Sequence, residues 1–200
     1  MDTFLLALGL SALYLAVVLL IELARRKLDV SSDITRRVIH IFSGLYTILD
    51  FVLLPTIWFI ALITISLVVM FFSQRNGWFT SIHSVARKTY GELFLPVGTL
   101  LTFFICNNKP EIFIASILVM TFADSLAGIT SDLLKKPSKV LQGSLVFFLV
   151  AALILTLHSS LEFGHILLAA LVVTLVERFS PLGTDNATVP VATALLLLAF

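Results

Sequence analysis

Charge is scarce in this chain, and the little there is lies unevenly. Only 12% of the 200 residues are charged, 59% are hydrophobic, and the mean hydropathy is +1.08. A soluble domain of this length has no interior large enough to hide that much apolar surface, so the surrounding solvent must be largely lipid. A net charge of +1 excludes the strongly basic footprint of a nucleic-acid binder. The single cysteine, Cys106, excludes an internal disulfide and any cysteine-built zinc cluster. Among its Phe neighbours it reads as a small apolar filler. No Walker phosphate loop, low-complexity tract or repeat occurs. The first apolar stretch, Phe4 to Leu23, has neither the basic leader nor the cleavage site of a signal peptide and reads as a retained transmembrane helix.

What the chain does have is a series of apolar runs near 3–24, 36–50, 53–72, 92–106, 111–131, 143–158, 163–179 and 187–200. They predict an all-α, polytopic membrane bundle of about 7–8 transmembrane segments, forming one domain over residues 1–200. The second and last runs fall short of the roughly 20 residues that a perpendicular span needs. Basic residues occupy alternate gaps: Arg25, Arg26, Lys27, Arg36 and Arg37, then Arg75, Arg87 and Lys88, then Lys135, Lys136 and Lys139, then Arg178. Of the thirteen, Lys109 alone lies on the other side. The positive-inside rule makes the basic side cytoplasmic and puts the N-terminus outside. Asn186-Ala187-Thr188 matches a glycosylation acceptor, but this topology keeps it cytoplasmic.

Asp124 lies deep in the apolar run Ile112–Ile129, where a carboxylate costs several kcal/mol unless a cation or donor offsets it. Helical spacing puts Gly128 on the same face and Thr121 one turn earlier. A structural acid bonded to a neighbouring hydroxyl would look the same, but a functional acid fits the cost better. Lys135, Lys136 and Lys139 come next, and then Gln142-Gly143-Ser144 opens the next run. Ammonium groups beside a buried acid suit a polyphosphate with a divalent ion, and the small Gly-Ser pair could offer backbone N–H groups to an anion. The same lysines would also serve topology alone. Arg36 and Arg37 could clamp phosphate with His40 one turn inward, or simply anchor the interface. Lys88 and Glu92 are four apart and could pair at a helix start. Glu177, Asp185 and Asn186 offer oxygen ligands of the kind magnesium takes, although Asp-Asn before a helix is also a common turn and cap. Asp50, His158, Glu162 and His165 fall on the outer side and read as solvated loop residues, and Glu22 is expected to meet Arg25 or Arg26. The polar candidates come from at least five gaps, yet all face one side of the membrane.

In that order the residues resemble the CTP-dependent prenyl-alcohol kinase family, which includes phytol, farnesol and dolichol kinases and a CTP-dependent diacylglycerol kinase. The resemblance covers most of the chain from residue 33 onward. It rests on Arg36-Arg37-x-x-His40 with Gly44, on Thr89-Tyr90-Gly91-Glu92 with Leu95-Pro96-Val97-Gly98, and on Asp124 with Ala127-Gly128. It continues through Lys139 with Gly143-Ser144 and ends with Glu177 and Gly183-Thr184-Asp185-Asn186-x-x-x-Pro190. Three positions depart from the family pattern: Ala123 where Gly is usual, a glycine-free Thr130–Leu134, and Gln142 where Glu is common. The resemblance implies transfer of the γ-phosphate of CTP, with Mg2+, to a membrane-resident lipid alcohol at a site facing the cytoplasm. It implies Asp124, Asp185, Glu177 and His40 as catalytic candidates, the three acids also as metal ligands. Arg36, Arg37, Lys88, Lys139, Gly143, Ser144 and Asn186 would contact nucleotide or phosphate, with Glu92, Gly128 and Gln142 in support. Which carboxylate is base and which is ligand stays open at this stage. A CTP:phosphatidate cytidylyltransferase-like synthase is a second reading, although the chain lacks the dense aspartate signature of such enzymes. An ion-coupled transporter is a third, against which stands the near absence of polar residues in the outer half.

Overall fold

The computed structural model describes residues 2–28, 30–76, 89–134 and 139–200. Eight helices and no strand occur among them. They are α1 (Thr3–Leu28), α2 (Ser32–Leu53), α3 (Thr56–Asn76), α4 (Gly91–Cys106), α5 (Pro110–Leu133), α6 (Leu141–His158), α7 (Phe163–Phe179) and α8 (Asp185–Ala199). Backbone polar groups in lipid must be satisfied within the segment, which leaves helices as the available choice for such apolar runs. Four helices are long and apolar enough to cross a membrane by length and composition: α1, α3, α5 and α6. The chain is therefore a membrane protein. α2 reaches 22 residues, longer than its sequence pattern suggested, because Ser31 caps it ahead of the apolar run: its hydroxyl accepts the Ile34 N–H at 3.4 Å.

The chain forms two compact units, Met1–Ala86 and Arg87–Phe200. In the first, α1 packs on α2 through a Tyr14–Ser43 hydroxyl bond of 2.8 Å and stacking of Tyr14 on Phe42. Leu10, Ala7 and Leu54 form its small core. The expected pairing of Glu22 is with Arg26, at 2.8 Å. Asp50 is a correction to the sequence reading. α2 runs on to Leu53, so this acid is not in a loop; it is fully buried beside Tyr46, and neither of its oxygens reaches hydrogen-bond geometry. His158, Glu162 and His165 are exposed as expected, although His158 closes α6 and His165 lies in the first turn of α7 rather than in the loop.

The second unit is built around α5. Of its apolar window 61% is buried inside the protein, against 11% for α1 and 17% for α3, whose apolar faces are thus left for lipid. α5 packs on α6 and α8, burying Ala115, Ile117, Val119, Met120, Ala123 and Ala127, and α7 packs on α6 and α8 in turn, burying Ala170 and Val173. Helix association in lipid depends on close packing rather than on expulsion of water, which accounts for the alanines. The closest approach joins α4 to α8. A Cβ added at Gly98 would sit 2.3 Å from the Asn186 carbonyl oxygen, so only glycine lets the two backbones meet there.

Candidate functional site: an acid cluster with a buried lysine

Three local features in the second unit position the site. The first lies in α5, where the α-helical ladder gives way to a π-turn over Val119–Ala123, immediately ahead of Asp124. The sequence suggests regular helical spacing here. The inserted residue instead re-aims the side chains beyond it, and π-turns of this kind are common at functional positions. The second feature is the turn from α7 into α8, where Leu182 (φ 55°) and Gly183 (φ 84°) both take left-handed backbone. That conformation is costly for leucine. The Leu182 carbonyl accepts the Tyr90 N–H at 2.9 Å, which holds it. A Cβ at Gly183 would stand 2.5 Å from the Gly91 nitrogen, so both its torsion and its space require glycine. The third feature is the start of α8, where Asn186 Nδ2 donates to the Gly91 carbonyl at 2.8 Å and the Asp185 carboxylate accepts the Asn186 N–H at 3.1 Å.

Together these features gather three acids. Asp124, Glu177 and Asp185 each offer a carboxylate oxygen, and the three oxygens lie within 4.8 Å of one another. Glu177 and Asp185 are buried, whereas Asp124 is partly open. Lys139 reaches into the cluster just before α6 begins. Its Nζ stands 2.8 Å from Glu177 Oε1 and 2.7 Å from Asp185 Oδ2, and it also donates to the Glu177 carbonyl. Burial by itself pulls the Lys139 ammonium down, but the Asp185 and Glu177 carboxylates outweigh that and hold it above the ordinary lysine range. Three carboxyl groups thus share a confined space with the Lys139 ammonium. Beside them Asn186 Oδ1 is buried without a hydrogen-bond donor among the described residues. Every available donor atom is a hard oxygen, and a buried acceptor lacking a partner is costly unless something fills it.

The other candidates from the sequence are spread over both units. Glu92 lies in the first turn of α4. Gly128 lies one turn beyond Asp124 on α5 and is partly buried. Gln142 is exposed in the first turn of α6. Gly143 serves packing: a Cβ there would stand 2.9 Å from the Ala127 carbonyl oxygen, so the glycine lets α6 close on α5. The expectation that Ser144 offers a free amide is corrected, because its N–H is spent on the Val140 carbonyl at 3.0 Å. α6 begins at Leu141, which makes Ser144 the first residue to close a helical turn. Its hydroxyl instead accepts from Arg178 Nη1 at 3.0 Å, a contact that the sequence did not announce beyond the adjacency of Arg178 to Glu177. Arg36, Arg37 and His40 belong to the first unit, in the opening turns of α2. The acid cluster consists of second-unit residues alone. Lys88 lies outside the described residues.

A helical membrane protein that keeps three acids and a lysine in contact defines a class: an integral membrane protein with a polar site suited to a cation and its anionic partner. The chain is 31% identical to the phytol kinase of Synechocystis sp., in a match covering 95% of this chain and 89% of that protein. It belongs to the prenyl-alcohol kinase family. No family model matches the chain, and no solved structure matches it.

Proposed function

We propose that this protein is a membrane kinase that moves the γ-phosphate of CTP to the hydroxyl of a prenyl alcohol such as phytol, geranylgeraniol or another polyprenol. The observation that carries the reading is the convergence of Asp124, Glu177 and Asp185 around Lys139, from three helices and a loop far apart in sequence. Phosphoryl transfer asks a protein for positioning and charge neutralisation rather than covalent chemistry, and such a cluster can supply both. The all-oxygen donor set fits magnesium, with Asp124, Glu177, Asp185 and the unpartnered Asn186 Oδ1 as its holders. Bound there, magnesium would neutralise charge on the phosphate oxygens of the nucleotide.

Within this reading Lys139, with contacts to Glu177 Oε1, Asp185 Oδ2 and the Glu177 carbonyl, holds these two acids in register. Asp124, the least buried acid, accepts the proton from the alcohol as its oxygen attacks phosphorus, and CDP leaves. The alcohol would reach the site sideways from lipid and the nucleotide from water. The topology that goes with this has 7–8 spans, the N-terminus outside and the site at the cytoplasmic face, as the basic gaps suggest. The family resemblance alone brings Arg36, Arg37 and His40 into the reading, as phosphate and proton handlers to be tested by substitution.

The test is incubation of the purified protein with magnesium, γ-labelled CTP or ATP, and separate phytol, farnesol, geranylgeraniol, polyprenol and diacylglycerol acceptors. Label should appear in a lipid monophosphate with CDP as co-product, most rapidly with a prenyl alcohol. Release of pyrophosphate with a CDP-lipid would instead make the protein a cytidylyltransferase and end the proposal.

A further inference from the structure

Two cross-links lie side by side between α7 and the chain entering α6. Lys139 joins Glu177, and five residues further along the same segment Ser144 joins Arg178. The first link belongs to the acid cluster, whereas the second is basic. Arg178 directly succeeds Glu177 in the chain, yet it pairs with no carboxylate among the described residues; its guanidinium turns to the Ser144 hydroxyl instead. The position at the last turn of α7 suits a cation electrostatically, but that effect does not choose a hydroxyl over the neighbouring acids. Ser144 is itself buried and anchored, its oxygen lying 3.4 Å from the Val140 carbonyl. It therefore tethers one end of the arginine. A guanidinium has five N–H donors, and the bond to Ser144 uses one of them.

The carboxyl oxygens of the acid cluster suit a cation and offer nothing to the phosphate oxygens of a nucleotide. A metal–nucleotide complex has two poles, and the acids answer only one of them. We infer that Arg178, tethered by Ser144, is the seat of the phosphate chain of the donor nucleotide and binds its non-bridging oxygens through paired N–H donors. This rests on the kinase reading above and adds to it a phosphate-binding residue, Arg178, with Ser144 as its positioning residue. Planar, paired recognition of this kind is a property of arginine that lysine does not reproduce.

The experiment compares wild type, R178Q, R178K, S144A and D124N, each purified in detergent with magnesium. Binding of inorganic tripolyphosphate is measured by calorimetry, and KM is measured separately for nucleotide and for alcohol. R178Q should weaken tripolyphosphate binding and raise the nucleotide KM about tenfold or more, with the alcohol KM unchanged, because a charged arginine–phosphate contact is lost. R178K should recover only part of the loss, and S144A should fall between R178K and wild type. Affinity of the acid cluster for Mn2+ should stay at the wild-type value in R178Q and S144A. Wild-type tripolyphosphate affinity and nucleotide KM in both R178K and S144A would overturn the inference even where R178Q fails to fold. Loss of turnover in D124N alongside that result leaves the kinase reading standing, whereas full turnover in D124N removes the kinase reading. The tripolyphosphate measurement does not depend on turnover and judges Arg178 in either case.

Discussion

At the scale of single residues, the chemistry depends on how a few charges are compensated. Asp124→Asn keeps the size of the side chain and removes its charge. It should lower phosphate transfer about a hundredfold or more while circular dichroism and gel-filtration behaviour stay those of the wild type. Wild-type turnover in this variant would withdraw the central assignment. Lys139→Met strips the only ammonium shown to touch Glu177 and Asp185 and leaves acids facing one another. The expected cost is of the order of 1–3 kcal/mol in stability, and millimolar Mg2+ or Mn2+ should restore part of it. The sign of the pH effect comes from the raised Lys139 value. Its ion pairs are fully present below the ordinary lysine pKa of about 10.4 and are lost as pH climbs through the higher folded value. The melting-temperature gap between wild type and Lys139→Met should hold from pH 7 to about 10 and shrink above that. A gap that already closed near pH 8 would contradict the pairing.

At the scale of elements, two devices that polar patterns do not reveal shape the site. The apolar run that becomes α5 announces a helix of the right length, but nothing in Val119-Met120-Thr121-Phe122-Ala123 marks a π-turn, because that choice is made by packing against α6 and α8. Likewise Gly98 and Gly183 read in sequence as ordinary motif glycines. The structure shows the reason for each: one lets α8 lie on α4, and the other takes a left-handed torsion against Gly91. Gly98→Ala should therefore separate α4 from α8 and cost about 1–3 kcal/mol. It should lower activity by displacing Asn186, with cation affinity measured by calorimetry falling in parallel. An unchanged cation affinity would mean that the contact is not what sets the position of α8.

At the scale of the whole molecule, the helices were legible because lipid leaves a hydrophobic segment few alternatives, and each of the eight runs gave a helix. Their ends were less so. Asp50 looked like a loop acid because its charge interrupts the apolar run, whereas the helix carries on through Phe51 and Val52 to Leu53. The meeting of Asp124, Glu177 and Asp185 could be anticipated because Glu177 and Asp185 border one gap, while an acid within an apolar run such as Asp124 seeks company away from hydrocarbon. The grip of Lys139 on two of them, and the turn of Arg178 toward Ser144, are products of tertiary packing and leave no trace in spacing. The topology carries its own prediction. With Cys106 replaced by Ser, single cysteines introduced at Lys109 and at Gln142 should react with an impermeant maleimide from opposite faces of sealed vesicles. Labelling of both from one face would reject the proposed orientation.

The tight seam where Gly98 meets Asn186 bears on genetics. Lesions in the acids should give dead enzyme at every temperature. Bulkier side chains along the seam should give alleles that are made and inserted normally, work in the cold and fail in the warm. A screen for heat-sensitive loss of function would thus collect glycines, and its map would trace the line along which the first and last helices of the second unit are sewn together.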